Sequence, residues 1–323
     1  MNGRKVNLAF LISIILYIAC VFGIAFLFPK LLEDLVLNNL ICESIIALPG
    51  LLFLIFSKDK IPEFLHFRKI KIGTLLVIIP FTFFSMPLIT LANLLSQFLA
   101  ENEIAAAMED FQIGEMPLLL LLFSVGIFGP FCEELVCRGV YYRGYRKSGS
   151  AFKAMILSSL LFALVHMNLN QAVYAFVMGV MAVLLVEATG SLWSSFIYHA
   201  LINSSQVFMM YVMLKVNPSA YSESAEAMTT ETMVFALGAY LIIAAVTLPI
   251  AWALLVWMSG HEGRRGVLPL IWIERKKKED KLLTIPLIFA FILCIAMMLL
   301  PYLMLYLMPY LNQILYRYLA VIS

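Results

Sequence analysis

Runs of apolar sequence, most of them about as long as a membrane is thick, follow one another along this chain. They lie at 7–28, 36–57, 72–99, 117–142, 151–168, 171–188, 192–214, 231–258 and 284–308. A helix rises about 1.5 Å per residue, so roughly 20 apolar residues cross the hydrocarbon of a bilayer. The pattern predicts an all-α fold, a polytopic transmembrane helix bundle of about nine spans. Pro80, Pro87, Pro130 and Pro301 fall inside runs, where proline kinks or breaks a helix. A final piece, 309–323, reads as a half-span or an interfacial helix, since Tyr310, Tyr316, Tyr318 and Arg317 suit the headgroup region.

Composition removes the soluble alternatives. Of 323 residues, 63% are hydrophobic and 13% charged, whereas a soluble domain is about 25% charged. The net charge of +2 says nothing about partners, because the charge is unevenly placed. Cys20, Cys42, Cys132, Cys137 and Cys294 all fall in apolar runs without paired spacing, and read as small core residues rather than disulfides or a zinc site.

Basic residues give the sidedness. Alternating the spans from a cytoplasmic amino terminus collects 19 of the 22 Lys and Arg on one side: Arg4 and Lys5, the stretch 58–71, the stretch 138–153 and the loop 259–283. Positive charge marks cytoplasmic loops, so the expectation is an integral, multi-pass protein of the plasma membrane with its amino terminus inside. The loop 100–116 carries Glu101, Glu103, Glu109, Asp110 and Glu115 and no basic residue, as an outer loop can. The basic loop 259–283 reads as a topology anchor near anionic lipid, not a nucleic-acid site. His66 and His261 lie in loops and read as solvated or interfacial. The partners expected are the lipid bilayer and a peptide or protein substrate, with no nucleic acid.

Against this apolar background, Phe131–Tyr142 reads FCEELVCRGVYY. A charge at bilayer depth costs about 2.5–3.5 kcal/mol on insertion scales, so Glu133, Glu134 and Arg138 together demand a reason. Glu134 and Arg138 are four apart and share a helix face, where they can pair. Glu133 is turned about 100° away and is left without a partner in its own helix. Few other ionisable groups lie at depth: His166 in the fifth run, and His199 with Asn203, a turn later, in the seventh. Rises along the helices put Glu133 about 15 Å from Arg143, His166 about 20 Å from Lys153, and His199 and Asn203 about 12–18 Å from Gly190, levels that overlap with His166 deepest. Glu43 is expected to snorkel or bond to a neighbour near the outer end of its run, and Glu187 to be solvated at the interface.

A carboxylate, two imidazoles and an amide around a buried pocket suit hydrolysis by activated water. Glu133 takes a proton from water, His166 orients it, and His199 with Asn203 stabilises an oxyanion. A divalent metal such as zinc held by Glu133, His166 and His199 is the other option, although HExxH and GxSxG are both missing. A proton- or ion-coupled transporter, with the same cluster as a relay, stays open, as does a non-catalytic immunity or scaffold protein.

These residues resemble the CAAX protease and bacteriocin-processing (CPBP, or Abi) family of intramembrane proteases. That family shows EExxxR, FxxxH and HxxxN in order. Here they stand as Glu133-Glu134 to Arg138, Phe162 to His166, and His199 to Asn203, with Gly139 and the run 189–193 also fitting. The resemblance covers 117–212, with further membrane helices in 1–116 and 213–323. It implies an intramembrane endopeptidase in which Glu133, Glu134, His166, His199 and Asn203 are the catalytic set and Arg138 the support. The site is expected to open toward the cytoplasm.

Overall fold

A computed structural model describes residues 1–32, 34–100, 115–216, 229–277 and 282–322. Four calls therefore lie outside the described residues: the acidic loop at 101–110, Lys278 and Lys281 of the basic loop, and the side chains of the final tyrosines.

Among the described residues, nine principal helices stand where nine apolar runs were read. They are α1 (Gly3–Leu27), α2 (Leu35–Ile55), α3 (Ile72–Ser96), α4 (Leu118–Lys147), α5 (Ala151–Val165), α6 (Leu169–Thr189), α7 (Leu192–Val216), α8 (Thr230–His261) and α9 (Ile285–Ile322). Short helices at Pro29–Leu32, Ile61–Leu65 and Val267–Ile273 sit in the connections. No strand occurs among the described residues. The piece at 309–322 is not separate, because α9 runs through it unbroken. Pro80 and Pro87 sit inside a continuous α3.

Seven of the nine are long and apolar enough to cross a membrane among the described residues. The two that fall short are informative. α5 has 15 residues, about 22 Å at 1.5 Å per residue, and cannot span about 30 Å of hydrocarbon. It ends at His166, and Met167 turns the chain with a positive φ of 48°. The side chain of Asn168 then accepts from Gln171 N and caps α6. So His166 is not deep within a long span: it ends a short one, at the level of the site. α7 is long enough but too polar, since Ser194, Ser195, His199, Asn203, Ser204, Ser205 and Gln206 interrupt it.

Burial ranks the helices. About half of the α4 window and 61% of the α6 window are buried inside the protein, against 22% for α1, α2, α8 and α9. α4 is the hub, packed against α2, α5 and α7. α3 and α6 complete the wall around the site, α8 covers α3, and α9 lies on α1.

The basic stretches gather at one end of the bundle. The amino terminus and Lys147 both pair with Asp59. Arg146 pairs with Glu274 at 3.0 Å, and Arg143 and Arg264 each lie 3.7 Å from Glu187. Glu187 is thus not solvated; it is buried and also accepts from the Tyr142 hydroxyl at 2.8 Å. His66 is half-buried beside Arg143 and Arg68 rather than free in water.

Candidate active site

The site is built on an irregular helix. Within α4, Leu122–Phe128 and Leu135–Tyr142 are π-helical, and between them a short α segment, Gly129–Glu134, carries both glutamates. Single π turns are costly and tend to mark functional positions. The cause of the first is Pro130. The Gly129 N–H reaches back five residues to the Ser124 carbonyl. In that register the donor for the Val125 carbonyl belongs to residue 130, a proline, which has none. The Asn203 side chain fills the gap, its Nδ2 donating to Val125 O at 3.3 Å. α7 can come this close because Gly126 lacks a side chain: a Cβ there would meet Ser204 Oγ at 2.5 Å and its Cα at 3.3 Å.

The expected residues meet. Glu133 is 8% exposed, and its carboxylate lies between two imidazoles. Oε1 is 3.4 Å from His166 Nε2 and Oε2 is 3.5 Å from His199 Nε2. Each ring is fixed from behind through Nδ1. His166 Nδ1 is 2.7 Å from the Phe162 carbonyl, which can only accept, so Nδ1 carries the proton. His199 Nδ1 is 3.0 Å from Glu134 Oε1. In that neutral tautomer His166 Nε2 presents a lone pair toward Glu133. Glu134 also pairs with Arg138 at 2.7 Å, both 1% exposed, which is the brace that the i,i+4 spacing predicted. The Arg138 guanidinium stacks 4.1 Å over the Phe162 ring, and the same ring packs edge-on against His166 and His199. Phe162 is the hub that sets the two histidines and the arginine in one layer.

Among the described residues, no group of three His, Cys, Asp or Glu side chains is arranged to hold a metal ion. The Glu133 carboxylate sits between the rings and gives one oxygen to each. The trio expected as metal ligands does not fit a zinc centre in this arrangement, and the chemistry below is derived without one.

A cavity of about 510 Å³ leads away from Glu133. Its walls come from the α2 start (Asn39, Glu43), the α3 end (Asn93), the α6 start (Gln171, Tyr174) and Asn203 of α7. Those helix ends all lie opposite the basic loops. Toward the basic loops, α4 is packed solid: Arg138, Tyr141, Tyr142 and Tyr145 are each at most 1% exposed, as is Phe162. The phenols are anchored, Tyr141 beside Ser13 at 3.3 Å and Tyr145 donating to Asn7. This tyrosine floor corrects the expected opening: the cavity does not reach the basic side. Glu43, expected near the outer end of its run, lines this cavity. Asn39 and Asn93 went unnoticed in the sequence because they belong to no motif; their placement depends on how α2 and α3 pack.

Residues 115–205 match the family model for the Type II CAAX prenyl endopeptidase Rce1-like proteins. The chain is also 28% identical over 109 residues to the Bacillus subtilis protein named "Putative membrane peptidase YdiL", a match that covers 34% of this chain and 43% of that relative's length. No solved structure matches. The family model spans all the residues of the Glu133 layer. The central part of this helical chain, residues 115–205, is thus similar to CAAX prenyl endopeptidases of the Rce1-like type.

Proposed function

We propose that this protein is an intramembrane endopeptidase that hydrolyses a peptide bond with water activated at Glu133. The observation that carries the reading is the Glu133 carboxylate held between two imidazole Nε2 atoms at the closed end of a cavity.

The roles follow from the hydrogen bonds. A water beside Glu133 and His166 gives its proton to the carboxylate, and its oxygen attacks the scissile carbonyl. His166 orients that water through its Nε2 lone pair. The tetrahedral intermediate needs N–H donors aimed at its oxyanion. Asn203 has two amide N–H groups and commits one to Val125, leaving the second for the cavity. His199 Nε2 stands on the other side of Glu133, its ring held from behind by the Glu134 carboxylate at Nδ1. Glu133 then returns its proton to the leaving amine. Glu134 and Arg138 position His199 without touching substrate. The tyrosine floor speaks against an ion-transport relay, which needs a path to both faces.

The amino terminus and basic loops are assigned to the cytoplasm of a plasma membrane on the positive-charge rule. On that assignment the substrate is a peptide or membrane-associated protein segment reached from the outer leaflet side. The test is cleavage of a degenerate quenched-fluorescent peptide library by purified protein in proteoliposomes. Glu133→Ala and His166→Ala are expected to lose at least 1000-fold while keeping the wild-type melting temperature. Equal cleavage by either variant would overturn the assignment.

A further inference from the structure

The catalytic layer leaves one ionisable group of the cavity without a task. Glu43 stands on α2, outside the matched core, one turn after Asn39. Asn39 is engaged, its Nδ2 donating to the Ser124 carbonyl at 3.1 Å, and so pins α2 against α4. That contact delivers Glu43 to the wall of the cavity beside Glu133. Its Cγ lies 3.7 Å from where a Cβ at Gly129 would stand, and Gly129 is one turn before Glu133 on the same face of α4. Glu43 is therefore about one helical turn, roughly 5 Å along the axis, from the water-activating carboxylate.

Glu43 has no counter-charge. Its Oε2 is closed off from solvent and has no hydrogen-bond partner. No ion pair of Glu43 occurs among the described residues, and the buried guanidinium of the layer, Arg138, is committed to Glu134. Beyond Glu133 and the two imidazoles already engaged with it, the cavity wall offers amides, the hydroxyls of Thr90 and Tyr174, and apolar side chains, with no Lys or Arg among them. A carboxylate in such a place is stabilised by a positive group supplied from outside, since burial without a partner is costly. The supplier has to be something the cavity admits.

We propose that Glu43 is a substrate-recognition residue: it receives a cationic group of the peptide, a Lys or Arg side chain or a free amino terminus, entering from the face opposite the basic loops. The proposal rests on the cavity being a peptide site. It makes the protease select basic segments and sets the cationic group about one turn away from the scissile bond.

The test separates recognition from catalysis. Full-length Glu133→Gln protein in detergent is titrated into fluorescein-labelled decapeptide mixtures, acetylated at the amino terminus. They are degenerate at every position but one, which is fixed as Lys, norleucine or Glu. Binding is read by anisotropy and needs no cleavage. The Lys mixture is expected to bind at least tenfold more tightly than the norleucine mixture. Adding Glu43→Gln should bring that ratio to about one, and Glu43→Lys should tip it toward the Glu mixture. Glu43→Gln is nearly isosteric, and its melting curve and gel-filtration profile report that it is folded. Equal binding of Lys and norleucine mixtures, no measurable binding of either, or a preference that survives Glu43→Gln would overturn the proposal. Failure of the protease reading looks different: wild-type protein would show the Lys preference in binding and cleave nothing.

Discussion

The side-chain amide of Asn203 donates to the backbone carbonyl of Val125, the acceptor that Pro130 leaves without a donor. One amide thus repairs the helix that carries the glutamates and stands in the cavity wall. Asn203→Ala is expected to destabilise the protein by about 1–3 kcal/mol, the usual cost of an unpaired buried polar group, and to lower kcat. Adding Pro130→Ala restores an N–H at position 130. The double variant should recover most of the melting temperature and none of the activity. Recovery of both would show that Asn203 serves only the helix.

The Glu134–Arg138 pair should behave as a buried unit. Removing one member of such a pair costs about 3–5 kcal/mol, because the other charge is stranded. Glu134→Leu or Arg138→Met alone should therefore melt early or fail to fold, and Glu134→Leu with Arg138→Met should fold. The double variant still lacks the acceptor behind His199 Nδ1. Peptidase assays should find it nearly inactive, and nitrogen NMR of His199 should show mixed tautomers. Wild-type activity in the double variant would remove Glu134 from the positioning of His199.

Acid sensitivity should come from the basic end. Burial, then the charge of Arg143, pushes His66 down from 6.5 to about 4. The unfolded chain binds the proton first, so stability falls as pH drops from about 6.5 to 4. Asp59 follows lower. Burial alone would raise it, but hydrogen bonds from Lys147 and the amino terminus hold it down at about 2. Its contribution is complete above about 3.8 and fades as pH falls toward 2. Melting temperatures of His66→Gln should therefore be flatter than wild type between pH 6.5 and 4, and should fall with it below pH 4. Parallel curves across the upper window would assign the loss to another group.

Chelation should leave the reaction intact. Among the described residues no group of three His, Cys, Asp or Glu side chains is arranged to hold a metal ion, and Glu133 gives one oxygen to each ring. Cleavage rates with and without 1,10-phenanthroline are expected to agree within about twofold. A loss restored by added zinc would require the three side chains to rearrange around an ion.

Much of this site could be read before any coordinates. The i,i+4 spacing fixed Glu134 to Arg138 and left Glu133 turned aside, because a helix repeats at 3.6 residues whatever surrounds it. His166, His199 and Asn203 announced themselves as rare polar groups among apolar neighbours. Three things were hidden for physical reasons. The π turns of α4 depend on which carbonyl a neighbouring helix can satisfy, and Asn203 is more than seventy residues from Val125. Glu43 looked like an outer-end residue, since its direction is set by the packing of α2 against Ser124. The side on which the cavity opens was misread because the basic loops lie near in sequence to Arg138. It is the tyrosines after it, each hydrogen-bonded or packed, that close that end.

Those tyrosines have a consequence beyond shape. A hydrolase needs water beside its carboxylate, and a bilayer needs to hold its ion gradients. Tyr141, Tyr142 and Tyr145 reconcile the two by making the hydrated space a blind well. Protons and salt that enter at one face find no exit at the other, so on the proposed hydrolytic reading the membrane stays electrically tight around the reaction.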